Sequence, residues 1–356
     1  MFPVFIKFFK RRNFLDDPGG RKIHTARTPA MGGLPIFIGF AIAVLIWSPF
    51  ETLREVKYVL SAISIMFIIG FRDDLINLRA YQKLIGQVAA AMIIVSICDI
   101  RFTSLYNLFG VEQIPLGLSY ILSLFTIIVI TNAYNLIDGI DGLSGSVGVI
   151  ASLFFGVFFF LNEQTGFALI SLSLCGALLA FLNYNWAPSK IFMGDTGSLF
   201  IGFFLSIMAI EFIDFNHTSG GEYSFGGSIG TAVAVLILPL ADTFRVFVKR
   251  VLRGKSPMHP DRTHVHHILL RLGCNHAQAT GILVTVNIIF VLLALVLKDF
   301  SDSVVIPSIL ITVVALGTIL DLIFKAAIER RKEELKERNR VSREETKVVS
   351  ISKNAG

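Results

Sequence analysis

Charge is scarce in this chain. Only 16% of its 356 residues are Asp, Glu, Lys or Arg, against 54% hydrophobic residues. A soluble protein of this length needs far more polar surface to cover its core. With a mean hydropathy of +0.70, the composition is that of a polytopic membrane protein. Cysteine is sparse too: Cys98, Cys175 and Cys274 lie far apart and form neither a CxxC pair nor a disulfide framework. Polar stretches are short, which leaves no room for a separate soluble domain. The opening MFPVFIKFFKRR is apolar for too few residues before Lys7 to cross a hydrocarbon layer about 30 Å thick, and it does not read as a cleavable signal. It reads as a peripheral anchor or as a shortened first helix.

What is abundant is long apolar runs. They fall near 33–50, 58–71, 84–100, 119–137, 143–161, 166–183, 197–213, 228–247, 279–297 and 304–324. These predict an all-α, polytopic helical bundle of about ten transmembrane helices. The run at 58–71 is short and needs Arg54 and Lys57 to snorkel. Segment 103–118 reads as an amphipathic or hairpin excursion. Residues 1–324 form the membrane-embedded domain, and residues 325–356 a charged C-terminal helix and tail.

The net charge of +6 invites a nucleic-acid reading, but its distribution excludes one. Twenty-seven of the 32 Lys and Arg fall in segments 10–30, 72–83, 184–194, 245–276 and 325–356, which alternate with the spans to share one side. That bias marks the cytoplasmic side and places the C-terminus there. The same side holds nearly all the unusual polar residues.

Five polar clusters converge there. In FRDDLINLRAYQKLIGQ (71–87), Asp73 and Asp74 directly follow an apolar run and Lys83 opens the next. Neighbouring acids at a membrane edge suit a divalent cation or a base held ionised by a nearby cation; a solvated turn is the plain alternative. In TNAYNLIDGIDGLSGS (131–146), Asn132, Asn135, Asp138 and Asp141 recur every third residue and share a drifting face if the helix continues through them. Such oxygen donors favour a hard cation such as Mg²⁺; a polar cap with glycine hinges is the alternative. In NWAPSKIFMGDTGSLFIGF (185–203), Asp195 precedes an apolar run and reads as an N-cap or as an acid holding a cation against a phosphate. Phe192 is a core aromatic or a stacking platform for a base. In KRVLRGKSPMHPDRTHVHHILLRLG (249–273), His264, His266 and His267 stand among Arg250, Arg253, Lys255 and Arg262. No cysteine or HExxH accompanies the histidines, so a phosphate grip fits better than zinc. The fifth, DDPGGRKIHTARTPAMGG (16–33), carries Arg21, Lys22, His24 and Arg27. Together they suggest transfer of a nucleotide-linked phosphate at the membrane surface.

The runs RKIHTARTPAMGG, RDDLINLRAYQKLIGQ, NAYNLIDGIDGL, NWAPSKIFMGDTGSL and SPMHPDRTHVHH, in that order, resemble the polyprenyl-phosphate N-acetylhexosamine-1-phosphate transferase family, glycosyltransferase family 4. The spacing SPxxPDRxHxHH is similar to the bacterial UDP-N-acetylglucosamine–undecaprenyl-phosphate branch. The resemblance implies an Mg²⁺-dependent enzyme (Mn²⁺ an alternative) that moves GlcNAc-1-phosphate from a UDP-sugar to polyprenyl phosphate, releases UMP and initiates cell-envelope polysaccharide synthesis. It implies Asp195 and Asn135 as metal ligands. Asp73 or Asp74 would deprotonate or position the lipid phosphate, and Lys83 would neutralise phosphate charge. Phe192 would stack on uracil and Asp141 would hydrogen-bond it. His266 and His267, with His264, would hold the diphosphate or sugar. Asn185, Asp138, Arg250 and Arg262 complete the substrate-binding set. Two departures stand out: Asn77 occupies the place of the third acid of a DDxxD pattern, and the first family helix is shortened to residues 2–9.

The implied setting is a bacterial cell membrane, with the site on the cytoplasmic face, a homodimer as the oligomer, and no nucleic-acid partner. The donor stays open among GlcNAc, deoxy or epimeric sugars and UDP-MurNAc-pentapeptide. Direct attack and an enzyme-linked intermediate also both stay open. An ion-coupled transporter would use acids near the midplane and on both faces; here the acids gather at one face.

Overall fold

The computed structural model describes residues 1–12, 14–16, 28–106, 108–111, 113–219, 223–252, 254 and 264–354. Helices α1 (Phe2–Arg11), α2 (Gly33–Trp47), α3 (Phe50–Ile76), α4 (Ala80–Ser96) and α5 (Leu116–Ile137) make up the first part. They are followed by α6 (Leu143–Leu161), α7 (Thr165–Asn185), α8 (Gly194–Ser219), α9 (Ser228–Val235) and α10 (Ile237–Leu252). The short α11 (Val265–Arg271) leads to α12 (His276–Val296) and the long α13 (Asp302–Asn354). Two two-residue strands, β1 (Leu15–Asp16) and β2 (Thr28–Pro29), pair antiparallel. The basic residues Arg21, Lys22, His24 and Arg27 lie outside the described residues.

Local chemistry sets the helix ends. Pro49 and Pro115 stand immediately before α3 and α5, where a missing N–H and a fixed φ cost nothing. α3 stops at Asn77, whose φ of 49° is left-handed, a conformation asparagine tolerates. α12 opens with a capping box: Asn275 Oδ1 accepts from Gln278 N at 2.8 Å, and Gln278 Oε1 accepts from Asn275 N at 2.9 Å.

Every apolar run of the sequence becomes a helix, with two changes. The run at 58–71 sits inside the 27-residue α3, which carries Arg54 and Lys57 in its first turns and Asp73 and Asp74 in its last. The run at 228–247 is broken at Leu236, where α9 and α10 meet at 83°. Among the described residues, six helices are long and apolar enough to cross a membrane: α5, α6, α7, α8, α12 and the first part of α13. A seventh is added if α9 and α10 form one broken span. The expected ten are not reached on this measure, because α2 and α4 are short and α3 is charged at both ends. The chain is a polytopic all-α bundle.

α8 is its axis. Of its apolar stretch 83% is buried, against 11% for that of α13. Phe200, Phe203, Phe204 and Phe212 fill the space between α8 and its neighbours. Among helices in lipid, close approach supplies the attraction that water supplies elsewhere. Gly70 of α3 permits it: a Cβ there would lie 2.4 Å from the Asp195 carbonyl oxygen. At the other end of α8, Asp214 accepts from Thr103 Oγ1 at 2.6 Å and from Tyr106 OH at 2.9 Å. These bonds fasten the segment after α4 to the axis. Within the expected excursion at 103–118, the described residues include a 3₁₀ turn at Leu108–Gly110, and α5 already begins at Leu116.

Candidate active site

Four helix ends meet at one place. Asp73 and Asp74 end α3, Lys83 lies in the first turn of α4, Asn135 near the end of α5, and Asp195 in the first turn of α8. Adjacent helical residues point about 100° apart, so the two acids of α3 serve different partners. Asp74 turns to the N-terminus of α8. Its Oδ1 accepts from Asp195 N at 2.8 Å, and its Oδ2 from Thr196 N at 2.9 Å and from Thr196 Oγ1 at 2.5 Å. A carboxylate from one helix thus caps another, satisfying orphan N–H groups and meeting the positive end of its dipole. The cap expected of Asp195 is supplied by Asp74.

Asp73 turns to Lys83. The carboxylate is paired with Lys83 Nζ and its Oδ1 accepts from Leu78 N at 2.6 Å. The same ammonium group lies 2.8 Å from Asp195 Oδ2. Asn135 Nδ2 donates to Asp195 Oδ1 and to Ser198 Oγ, each at 2.7 Å. Three carboxylates, one ammonium and one carboxamide therefore lie within one connected set of polar contacts. The Asp73 side chain is 3% exposed, whereas Lys83 and Asp195 are 27% and 31% exposed. Lys83 and Asp195 are the members a substrate can reach.

The helix does not continue through TNAYNLIDGIDGLSGS. α5 ends at Ile137 and α6 begins at Leu143, so Asp138 and Asp141 lie in a turn and not on a shared helical face. Asn132 faces away from the acids and pairs with Gln87, its Nδ2 lying 2.8 Å from Gln87 Oε1. Asp138 accepts from Ser144 Oγ at 2.6 Å. Its pKa is pushed up to about 7, chiefly by burial; Ser144 opposes this, and Asp195, Asp74 and Asp141 add to it. Asp141 faces His276 Nδ1 at 3.5 Å and accepts from Ser189 N at 3.3 Å. Burial alone would raise its pKa, but His276 and Ser189 outweigh it and hold the carboxyl below its ordinary value.

The turn also links the acids to the histidines. A Cβ on Gly139 would lie 2.4 Å from His266 Nε2, so only glycine lets this imidazole rest on the backbone. The His266 and His267 ring centroids are 4.3 Å apart, and His264 stacks on His266 at 5.7 Å with an interplanar angle of 11°. His266 is buried. Burial, followed by the neighbouring His267, lowers its pKa to about 3, which keeps the ring neutral.

Asp242, in α10, anchors the whole group. Its Oδ2 lies 2.8 Å from His264 Nδ1 and its Oδ1 accepts from Val265 N at 2.8 Å. This residue was not among the sequence candidates. Its signal was a lone carboxylate inside the apolar run 228–247, a costly place for an acid without a partner.

The remaining candidates are dispersed. Phe192 is half-buried, with its backbone N donating to Pro29 O and its O accepting from Gly32 N, each at 2.8 Å. Asn185 is buried and engages both ends of its amide: Oδ1 accepts from Gly142 N and Nδ2 donates to Ile191 O, each at 2.9 Å. It ties the 138–142 turn to the approach to α8. Arg250 is half-buried in the last turn of α10. Arg262 lies outside the described residues.

The profile of glycosyl transferase family 4 matches residues 56–213, from α3 through most of α8. A probable undecaprenyl-phosphate N-acetylglucosaminyl 1-phosphate transferase of Bacillus subtilis (strain 168) is 34% identical over 288 residues, covering 80% of this chain and 77% of that protein. A decaprenyl-phosphate N-acetylglucosaminephosphotransferase of Mycolicibacterium smegmatis is 36% identical over 284 residues, covering 74% of this chain and 70% of that protein. The undecaprenyl-phosphate alpha-N-acetylglucosaminyl 1-phosphate transferase of Escherichia coli (strain K12) is 28% identical over 289 residues, covering 78% and 76%. A polytopic membrane bundle with an acid–lysine cluster at its helix ends is thus the scaffold of a transferase. The chain belongs to glycosyl transferase family 4.

Proposed function

We propose that the chain transfers GlcNAc-1-phosphate from UDP-GlcNAc to a polyprenyl phosphate, releasing UMP and leaving a lipid-linked diphosphate sugar. The relatives named above act on undecaprenyl or decaprenyl phosphate, which supports the acceptor. The observation that carries the reading is Lys83 held between Asp73 and Asp195 at the meeting point of α3, α4 and α8. In that setting, an oxygen of the lipid phosphate attacks the sugar-bearing phosphorus of the donor. A new P–O bond forms as the bond to UMP breaks. Such a reaction needs positioning and charge neutralisation more than covalent chemistry.

Because Asp74 is engaged with α8 and Asp73 is almost enclosed, Asp73 would position the lipid phosphate through Lys83, whose ammonium it pairs with. Lys83 balances phosphate charge as the acceptor arrives. Phe192 and Asp141 receive the uracil, and His264, His266, His267, Arg250 and Arg262 hold the diphosphate and sugar. The Lys and Arg bias supports a cytoplasmic setting for this face in a bacterial cell, with the C-terminus on the same side.

The donor set fits Mg²⁺. Asp195 Oδ1 and the Asn135 carboxamide lie 2.7 Å apart, close to the edge of about 3 Å between neighbouring oxygens on such an ion, and turning the amide would present its oxygen. Among the described residues no group of three or more His, Cys, Asp or Glu side chains could hold a metal. Two protein oxygens with substrate phosphates and water are the usual complement of this ion. When bound, it would supply positive charge to the donor diphosphate; Mn²⁺ would suit the same oxygens.

Release of UMP from a panel of UDP-sugars, with polyprenyl phosphate and with or without a chelator, tests the reading. UDP-GlcNAc should turn over and the chelator should stop it. No UMP from any donor overturns the assignment, and turnover confined to another UDP-HexNAc replaces the donor. Incubation with UDP-sugar alone should give no phosphosugar adduct by intact mass if attack is direct.

A further inference from the structure

A groove of about 500 Å³ opens between α1 and the end of α7, away from the acid cluster. Four cations surround it: Lys7, Lys10 and Arg11 of α1, and Lys190 of the segment joining α7 to α8. Its floor is apolar, made of Pro3, Ile6 and Tyr184. Among the described residues no carboxylate pairs with any of the four. Cations gathered around an apolar floor, with no carboxylate partner among the described residues, suit an anion that carries a hydrocarbon tail.

The position of α1 supplies the second observation. One side of this helix is fixed to the protein: Phe2 and Phe9 are buried, and Phe2 stacks on Tyr184 at 5.5 Å. Val4 and Phe8, one turn apart, are 70% and 47% exposed. Apolar residues left bare beside a row of cations suit a membrane interface. Lys190 is five residues before Asp195 in the chain, which puts the groove at the same end of the bundle as the acids.

We infer that this groove binds the phosphodiester headgroup of an anionic membrane phospholipid, which fastens α1 across the end of α7. The headgroup sits among the four cations while its acyl chains run past Val4 and Phe8. The volume lies within the usual range for small-ligand sites, about 300–1,000 Å³. The consequence reaches the site. α1 packs on β2, Pro29 of β2 accepts from Phe192 N, and Gly33 N donates to Met193 O at 2.8 Å. The lipid therefore stiffens the segment that leads to Asp195.

Native mass spectrometry of the full chain with phosphatidylglycerol, phosphatidylcholine and polyprenyl phosphate tests this. The wild type should retain phosphatidylglycerol in preference to phosphatidylcholine. Joint replacement of Lys7, Lys10, Arg11 and Lys190 by Gln should cut that retention by more than about tenfold. A second variant, with the three lysines changed to Arg and Arg11→Lys, should keep it, which separates loss of charge from loss of fold. Equal retention by the Gln variant overturns the proposal. So does displacement of phosphatidylglycerol by equimolar polyprenyl phosphate, which would make the groove an acceptor site.

Discussion

Asp242 and His264 form a buried pair in which both carboxylate oxygens are used: one lies 2.8 Å from the imidazole Nδ1, the other accepts from Val265 N at 2.8 Å. A carboxylate opposite Nδ1 selects the tautomer that leaves Nε2 as the acceptor nitrogen, and it fixes the start of α11. Asp242→Asn should keep the fold and cut kcat by roughly 10–100-fold, the usual worth of a group that orients a functional histidine. The pH–rate profile should change with it. A fall in melting temperature without loss of kcat would reduce the pair to a structural clasp.

The two acids of α3 should separate in mutagenesis. Asp74→Ala leaves the N-terminus of α8 without its cap and should destabilise the protein by about 1–2 kcal/mol. Asp73→Asn should change the melting temperature less and remove most turnover. Melting curves alongside UMP release distinguish them; equal profiles for the two variants would reject this division.

Lys83 holds two carboxylates together. Lys83→Gln should abolish turnover and also lower stability by about 1–3 kcal/mol, because Asp73 and Asp195 then face each other without a cation. Adding Asp73→Asn should restore the melting temperature but not the activity. Asp195→Asn should abolish turnover while expression and melting stay near normal.

Opposed pH dependences should meet around Gly139. Asp138 titrates near 7 in the fold against an ordinary 3.8, so the fold binds the extra proton and its stabilising effect is lost as pH rises from about 4 to 7. His266 titrates near 3 against 6.5, so its contribution is complete above pH 6.5 and lost as pH falls toward 3. Between about pH 4 and 6.5 the two slopes oppose. Melting temperatures of Asp138→Asn should therefore rise more steeply with pH than the wild type, and those of His266→Gln should fall.

Gly139→Ala tests the contact that joins turn and histidines. The added methyl would meet His266 Nε2, and since the turn is short the imidazole must move. Turnover should fall at least about tenfold, as expected for a displaced functional group, with far-ultraviolet circular dichroism unchanged.

Much of this was legible in the residues. Long apolar runs announce helices because a single segment in lipid satisfies its own backbone only as a helix, and each run did become one. The clusters holding Asp73, Lys83, Asn135 and Asp195 came together as their shared side implied. Tertiary geometry stayed hidden. Periodicity alone suggested that Asn132, Asn135, Asp138 and Asp141 share a helix face, but the helix ends at Ile137. Neither the capping of α8 by Asp74 nor the double backbone bond of Asn185 leaves a local pattern. Asp242 lay inside an apolar run, where an isolated acid has no motif to mark it.

α8 carries Asp195 at one end and Asp214 near the other, about 28 Å along a straight helix at 1.5 Å per residue. Asp214 is moored to Thr103 and Tyr106, and the shaft between is almost wholly enclosed. A helix so held behaves as a lever with both tips tethered. Loosening Tyr106 would free the rod to tilt, and the Asp195 carboxylate would swing with it. The two ends of this bundle are mechanically one.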